Sequence, residues 1–208
     1  ISELNIEKQI IVCESGKTNA VVMSDFDKAF DAKSQKPGTA FIEKQCSGGY
    51  LGPVAYEMLM TAAADGVFSK AFGEKIAKLE SMSLIEFNMF LLDPYDAATT
   101  LGKIAAECAT EEDYDRLYQM LDALTERSAR CAAAILTASV IQSAGGTNSA
   151  KPVCILCNGS TFWKTKMLFE RVNAYLDDVL TVQRGLYWKI VSVDNDITLG
   201  TAIAGLIE

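Results

Sequence analysis

The chain has 208 residues, 50% of them hydrophobic, a formal net charge of −8 and no histidine. That length and apolar content suffice for a sizeable packed core and argue against disorder. The acidic balance argues against nucleic acid as a partner and disfavours anionic membrane surfaces. Without histidine, Ser–His and Cys–His catalysis are excluded and most zinc sites become improbable.

No apolar run reaches the roughly 18 residues of a membrane-spanning helix. The N-terminal ISELNIEKQ lacks the cationic start and apolar middle of a signal peptide. It also lacks an initiator Met, which suits a piece of a longer chain. Cysteines 13, 46, 108, 131, 154 and 157 follow no framework spacing, and they read as reduced, buried thiols of a cytoplasmic protein.

In chain order, QIIVC (9–13) predicts a short β-branched strand. SDFDKAFDA (24–32) predicts a helix capped by Ser24 or Asp25, with Phe26, Ala29 and Phe30 on one face. SQKPGT (34–39) is turn chemistry. A long apolar helix is expected from Tyr50 to Ala64, and shorter ones around Gly73 within residues 69–92. Residues 111–144 read as one long helix or two, ended by GGTNSAKP. PVCILCNG (152–159) reads as a buried strand meeting a turn, residues 165–180 as a helix, YWKIVSV (187–193) as a strand, and TLGTAIAGLIE as a terminal helix. Strand, helix, strand, helix implies an α/β fold with parallel strands joined by crossovers.

Several motifs tempt and fail. SGKT (15–18) lacks the first P-loop glycine, because that position is Ile11. GGYLG (48–52) does not have the dinucleotide-binding spacing. Cys154-x-x-Cys157 is one pair with no second pair, a pattern more typical of packing than of a metal site. DND (194–196) lacks the glycine and the bidentate carboxylate of a calcium loop. What remains is positional. Glycines follow strand ends at Gly16, Gly159 and Gly200, and open α/β sheets bind ligands beyond the carboxyl ends of their strands. Asn158-Gly159-Ser160 is such a place, or simply a tight strand-to-helix turn.

Four segments, in order, resemble the C-terminal half of hexokinases of the actin-like ATPase superfamily. VCESG (12–16) is similar to a strand ending in Glu and Gly. SDFDKAFDAKSQKPGTAFIEKQCSGGYLG (24–52) is similar to an acidic helix, a Pro-Gly turn and a Phe-Glu-Lys stretch before Ser-Gly and Tyr-Leu-Gly. LTERSARCAAAILTASV (124–140) and PVCILCNGSTFWKT (152–165) complete the set. The resemblance implies a ribonuclease H-like (actin-like ATPase) large domain over residues 1–208, with a mixed sheet flanked by helices.

The resemblance also assigns roles. Glu14 and Glu43 would accept hydrogen bonds from the hydroxyls of a hexose such as glucose. Gly48, Thr125, Gly159 and Ser160 would line the nucleotide end, with ATP and Mg²⁺ as cofactors. Asn158 stands where the family usually has Asp, and Gly49 where a longer side chain is common. SVDNDITLGTAIAG (192–205) keeps only Gly200 and the small-residue helix of a glycine-rich stretch. The superfamily's Asp-x-Gly-Gly-Thr and Gly-Thr-Gly phosphate loops and its catalytic Asp do not occur in these 208 residues. The implied function is therefore part of a hexose kinase whose base lies elsewhere; the alternative is a degenerate hexokinase-like sugar-binding protein.

Overall fold

The structure, a computed structural model, describes residues 12–206. A 3₁₀ turn, Ser15–Lys17, is followed by α1 (Asp25–Lys33), α2 (Phe41–Cys46), α3 (Gly48–Ala64), α4 (Lys70–Ile76) and α5 (Leu84–Leu92). Then come α6 (Thr100–Cys108), α7 (Glu111–Gln142), β1 (Val153–Leu156), α8 (Ser160–Lys164) and α9 (Leu168–Leu176). A π-helical turn, Asp177–Gln183, leads into β2 (Trp188–Val191) and α10 (Asp196–Ala204).

Helix α7 is one helix of 32 residues, about 48 Å long at 1.5 Å per residue. It serves two apolar clusters. Leu117, Leu121 and Leu124 of its first half pack with Leu51, Val54 and Leu59 of α3, Phe72 and Ile76 of α4, and Phe87, Phe90 and Leu91 of α5. Ala129, Ala133 and Val140 of its second half pack with Ile155 of β1 and Leu168, Val172 and Leu176 of α9. A salt bridge of 2.7 Å from Arg127 to the buried Asp27 ties α1 to the middle of α7.

Three helices start on the same device. Ser24, Ser83 and Thr110 each cap with the side-chain oxygen, and Asp27, Glu86 and Asp113 three residues on reach back to the cap's backbone N–H. Asp113 does more, because its other carboxyl oxygen accepts the Ser69 N–H at 2.7 Å and so fastens the start of α4 to that of α7.

Strands β1 and β2 pair in parallel, as their separation by helices implies, with Val153 opposite Trp188 and Leu156 opposite Val191. Three expectations change. The strand predicted over 9–13 lies mostly outside the described residues, and Val12 and Cys13 are not in a strand. β1 is half-buried rather than buried: Ile155 faces the core while Cys154 and Leu156 are exposed, Leu156 by 50%. Helices cover one face of this two-stranded sheet, so alternate side chains meet solvent. The helix expected over 165–180 is present, but it starts at Leu168 and runs on through the π-helical turn to Gln183. α8 ends at Lys164, Met167 is left-handed at φ 60°, and α9 starts at Leu168. Asn88 of α5 holds the break open by donating to the Lys164 carbonyl at 3.0 Å and accepting the Lys166 N–H at 2.8 Å.

The cysteines also differ from expectation. Cys13 and Cys154 are exposed, and Cys46, Cys108, Cys131 and Cys157 are only half-buried. The main cores are filled by Leu, Phe, Ile, Val and Ala, which leaves the thiols at their margins.

Burial pushes the Asp113 carboxyl upward, but bonds from Ser69 and Thr110 outweigh it and hold the group below its ordinary value of 3.8. A carboxyl depressed in the folded state stabilises above its unfolded value and loses that contribution as pH falls through the folded one. Asp113→Ala should therefore cost about 1–3 kcal/mol at pH 7 by urea denaturation. The gap between variant and wild type should narrow as pH falls below about 4.

Candidate functional site

Helix α2 has six residues, and only part of it faces out. Ile42, Lys44 and Gln45 are buried, while Glu43 is exposed. The helix begins after Ala40, which is left-handed at φ 55°, a conformation that costs an L-residue about 1–2 kcal/mol. Glu14, the residue before the 3₁₀ turn, is left-handed too, at φ 48°. Each of the two carboxylate-bearing segments thus enters through a strained residue, a feature associated with binding and switch regions.

The two segments touch. A Cβ built on Gly16 would lie 3.2 Å from Glu43 Cβ and 3.8 Å from Glu43 Oε2. The stem of Glu43 therefore rests on the bare backbone of Gly16, two residues from Glu14. Glu14 is solvent-exposed and pairs with Lys17 at 3.1 Å. Asn19 braces the same junction: its amide oxygen accepts the Phe41 N–H at 3.3 Å, and its amide nitrogen donates to the Gly38 carbonyl at 3.1 Å. An exposed carboxylate can accept several hydroxyl donors in charge-assisted bonds.

The chain turns at Ser47, which closes α2 and opens α3 with an extended ψ of 148°. Gly48 follows directly. A Cβ there would fall 2.0 Å from Thr161 Oγ1 and 3.1 Å from Thr161 Cβ, so only glycine lets α8 approach this closely. Gly48 is thereby brought against Thr161 of α8, which follows the Gly159–Ser160 turn at the carboxyl end of β1. Gly159 sits at φ 101°, which an L side chain rarely adopts, and accounts for glycine at that position. A cleft of about 300 Å³ opens beside this turn, walled by Ser160, Thr161 and Lys164 on one side and Ile85, Asn88 and Met89 of α5 on the other. Glu43 and Gly48 are five residues apart in sequence, so the two clusters lie within about 18 Å of each other.

Thr125 does not join them. It is 0% exposed inside α7, and its hydroxyl donates to the Leu121 carbonyl at 3.5 Å. It presents no surface to a nucleotide and belongs to the packing of α7. Conversely, sequence reading missed Thr161, Lys164, Ile85 and Met89. One signal was available: apart from Glu86 and Asn88, LIEFNMFLL is apolar, and a helix that is apolar around most of its circumference needs cover on more than one face. Ile85 and Met89 remain exposed, on the cleft side.

A second hollow, of about 450 Å³, lies between the 3₁₀ turn, α2 and α7. Its walls include Cys13, Thr18, Ile42, Ala134, Ile135 and Ala138, and neither Glu14 nor Glu43 lines it. Behind α2, burial pushes the Cys46 thiol up to about 12, helped by Cys131 and Glu43. It is a neutral thiol at physiological pH and not a nucleophile.

Comparison with known proteins gives the family and the fold. A family model described as Hexokinase matches residues 2–207. Hexokinase-9 of Oryza sativa subsp. japonica is 24% identical over 199 residues, covering 90% of this chain and 39% of that protein. Hexokinase-5 of the same plant is 30% identical over 130 residues, covering 58% of this chain and 25% of that protein. A hexokinase crystal structure superposes with a TM-score of 0.70 at 18% identity, over 88% of this chain and 40% of its own. The hexokinase from Schistosoma mansoni complexed with glucose gives 0.64 at 16% identity, over 82% of this chain and 38% of its own. The chain thus spans about two fifths or less of the relatives it matches, and it shares their fold over that span. With its model matched from residue 2 to residue 207, the chain belongs to the hexokinase family.

Proposed function

We propose that this chain is the large-domain part of a hexose kinase. The complete protein transfers the γ-phosphoryl of ATP to the 6-hydroxyl of a hexose such as glucose. Glu14 and Glu43 accept hydroxyl hydrogens of the sugar and fix its ring. Gly48, Gly159 and Ser160, with the cleft against α5, meet the nucleotide. The observation that supports this reading is the seat of Glu43 on Gly16, two residues from Glu14, which puts the two carboxylate-bearing segments in contact. A hexokinase solved with glucose among the structural neighbours supports the sugar class.

In the reaction, the sugar oxygen bonds to the γ-phosphorus, the bond to the β-phosphate oxygen breaks, and ADP leaves. The hydroxyl proton passes to a base, which on this reading is an aspartate beyond these residues. Mg²⁺ neutralises the transferring phosphates in such reactions. The described residues contain no group of three or more metal-ligating side chains, and the turn after β1 carries the amide of Asn158. On this reading the ion would be held chiefly through the phosphates of ATP, as Mg²⁺ commonly is. The large domain would comprise residues 1–208 as one unit, since both apolar clusters share α7, and β1 and β2 would belong to a larger mixed sheet. A cytoplasmic setting suits a chain whose thiols Cys46, Cys108, Cys131, Cys154 and Cys157 form no disulfide.

A second reading, a hexokinase-like sugar-binding protein without catalysis, is favoured by Asn158 in place of Asp and by the divergent 192–205 stretch. It shares the sugar site and differs in turnover. Calorimetry with glucose on the complete protein separates both readings from no sugar role at all. Glu43→Ala should weaken binding roughly 10–100-fold, because a charge-assisted bond contributes about 1.5–3 kcal/mol. An unchanged isotherm, or none for the wild type, overturns the sugar site. ATP-dependent phosphorylation of glucose by the complete protein favours the kinase, and its absence with binding intact favours the second reading. The isolated 208-residue chain should show no phosphorylation; turnover by that chain alone would contradict the placement of the base.

A further inference from the structure

Glu43 sits on a helix too short to hold itself. A six-residue helix is not stable alone in water, so α2 keeps its orientation only through tertiary contacts. Both neighbours of Glu43 make such contacts: the Ile42 N–H donates to the Thr18 carbonyl at 3.3 Å, and Lys44 is anchored through its side chain. Lys44 Nζ donates to Asp31 Oδ1 at 2.5 Å and to the Lys36 carbonyl at 2.7 Å. Its side chain is 5% exposed and that of Asp31 13%. Asp31 Oδ2 also accepts the Gly38 N–H at 2.8 Å. One ion pair thus joins the end of α1, the Pro-Gly turn and α2.

Burying a lysine–carboxylate pair is a poor way to gain stability, because desolvation offsets most of the attraction and an apolar pair often serves as well. What the pair supplies is direction. Lys44 and Glu43 are adjacent on one helix, so a rotation of α2 that shifts Glu43 also shifts the Lys44 stem relative to Asp31 and the Lys36 carbonyl. Gln45, donating to the Val22 carbonyl at 2.9 Å, and Ser128, donating to the Cys46 carbonyl at 3.1 Å, hold the far end of α2 without touching Glu43.

We propose that Lys44 and Asp31 are positioning residues for Glu43: their buried ion pair sets the rotation of α2 and thereby the reach of the Glu43 carboxylate toward the sugar. This rests on the reading of Glu43 as a sugar ligand. The pair touches no substrate and acts only through Glu43.

The test is a double-mutant cycle in the complete protein, read by glucose calorimetry and by the KM values for glucose and ATP. Lys44→Met should fold, as checked by circular dichroism and melting temperature. It should weaken glucose binding about tenfold, a loss typical of a displaced positioning contact, with the KM for ATP within about twofold of wild type. In the Glu43→Ala background, Lys44→Met should have no further effect on glucose. If Lys44→Met does not fold, Asp31→Asn keeps the shape and removes the charge, and the same non-additive loss is expected. A Glu43→Ala loss with no loss from the folded pair variant overturns the positioning role alone, as do losses that add in the double variant. Glucose binding unchanged by Glu43→Ala overturns the sugar reading, and this proposal with it.

Discussion

Glu43 packs closely over Gly16, where a side chain would force it to shift. That one close approach joins the segment carrying Glu14 to the helix carrying Glu43, and the surrounding structure serves to maintain it. Asn19 holds the two backbones together from one side. The buried pair of Lys44 and Asp31 holds α2 from the other. Glu14 and Ala40 are left-handed at the entry to these two segments. A second bare glycine, Gly48, repeats the device against Thr161, so both ends of the candidate site depend on backbone approaching side chain without a Cβ between.

Helix α7 explains how a short segment such as α2 is kept rigid. Its first half completes the larger apolar cluster and its second half the smaller one. α2 packs against its middle, where Ser128 reaches the Cys46 carbonyl and Arg127 reaches Asp27 of α1. The acidic helix, the Pro-Gly turn and α2 are therefore fastened to one long lever. Its uninterrupted hydrogen bonding resists bending between the two clusters. The cleft beside Ser160 is set from the opposite side, by Asn88 of α5 capturing the backbone released at Lys164 and Lys166.

Much of this was legible in the sequence where the cause is local. The capping pattern Ser24-x-x-Asp27 announces α1, apolar periodicity announces α3 and α7, and Pro37-Gly38 announces the turn between α1 and α2. The parallel pairing of β1 with β2 followed from the helices between them. What was not legible has distant causes. The break at Thr165–Met167 is imposed by Asn88, more than seventy residues earlier. Thr125 reads like a polar site residue because its burial depends on α7 packing against α3 and α5. The approach of Gly48 to Thr161 spans more than a hundred residues, and no local pattern encodes it. Glu14 and Glu43 were found only through resemblance to a family, since a lone exposed glutamate has no periodicity or cap to mark it.

A crystal structure of the complete protein with glucose would show whether Glu14 and Glu43 hold one sugar from adjoining segments. If they do, carboxylate oxygens of both residues lie within roughly 3 Å of hydroxyls of a single pyranose ring. A sugar bound with either carboxylate turned away into solvent, or seated elsewhere on the molecule, would contradict that reading.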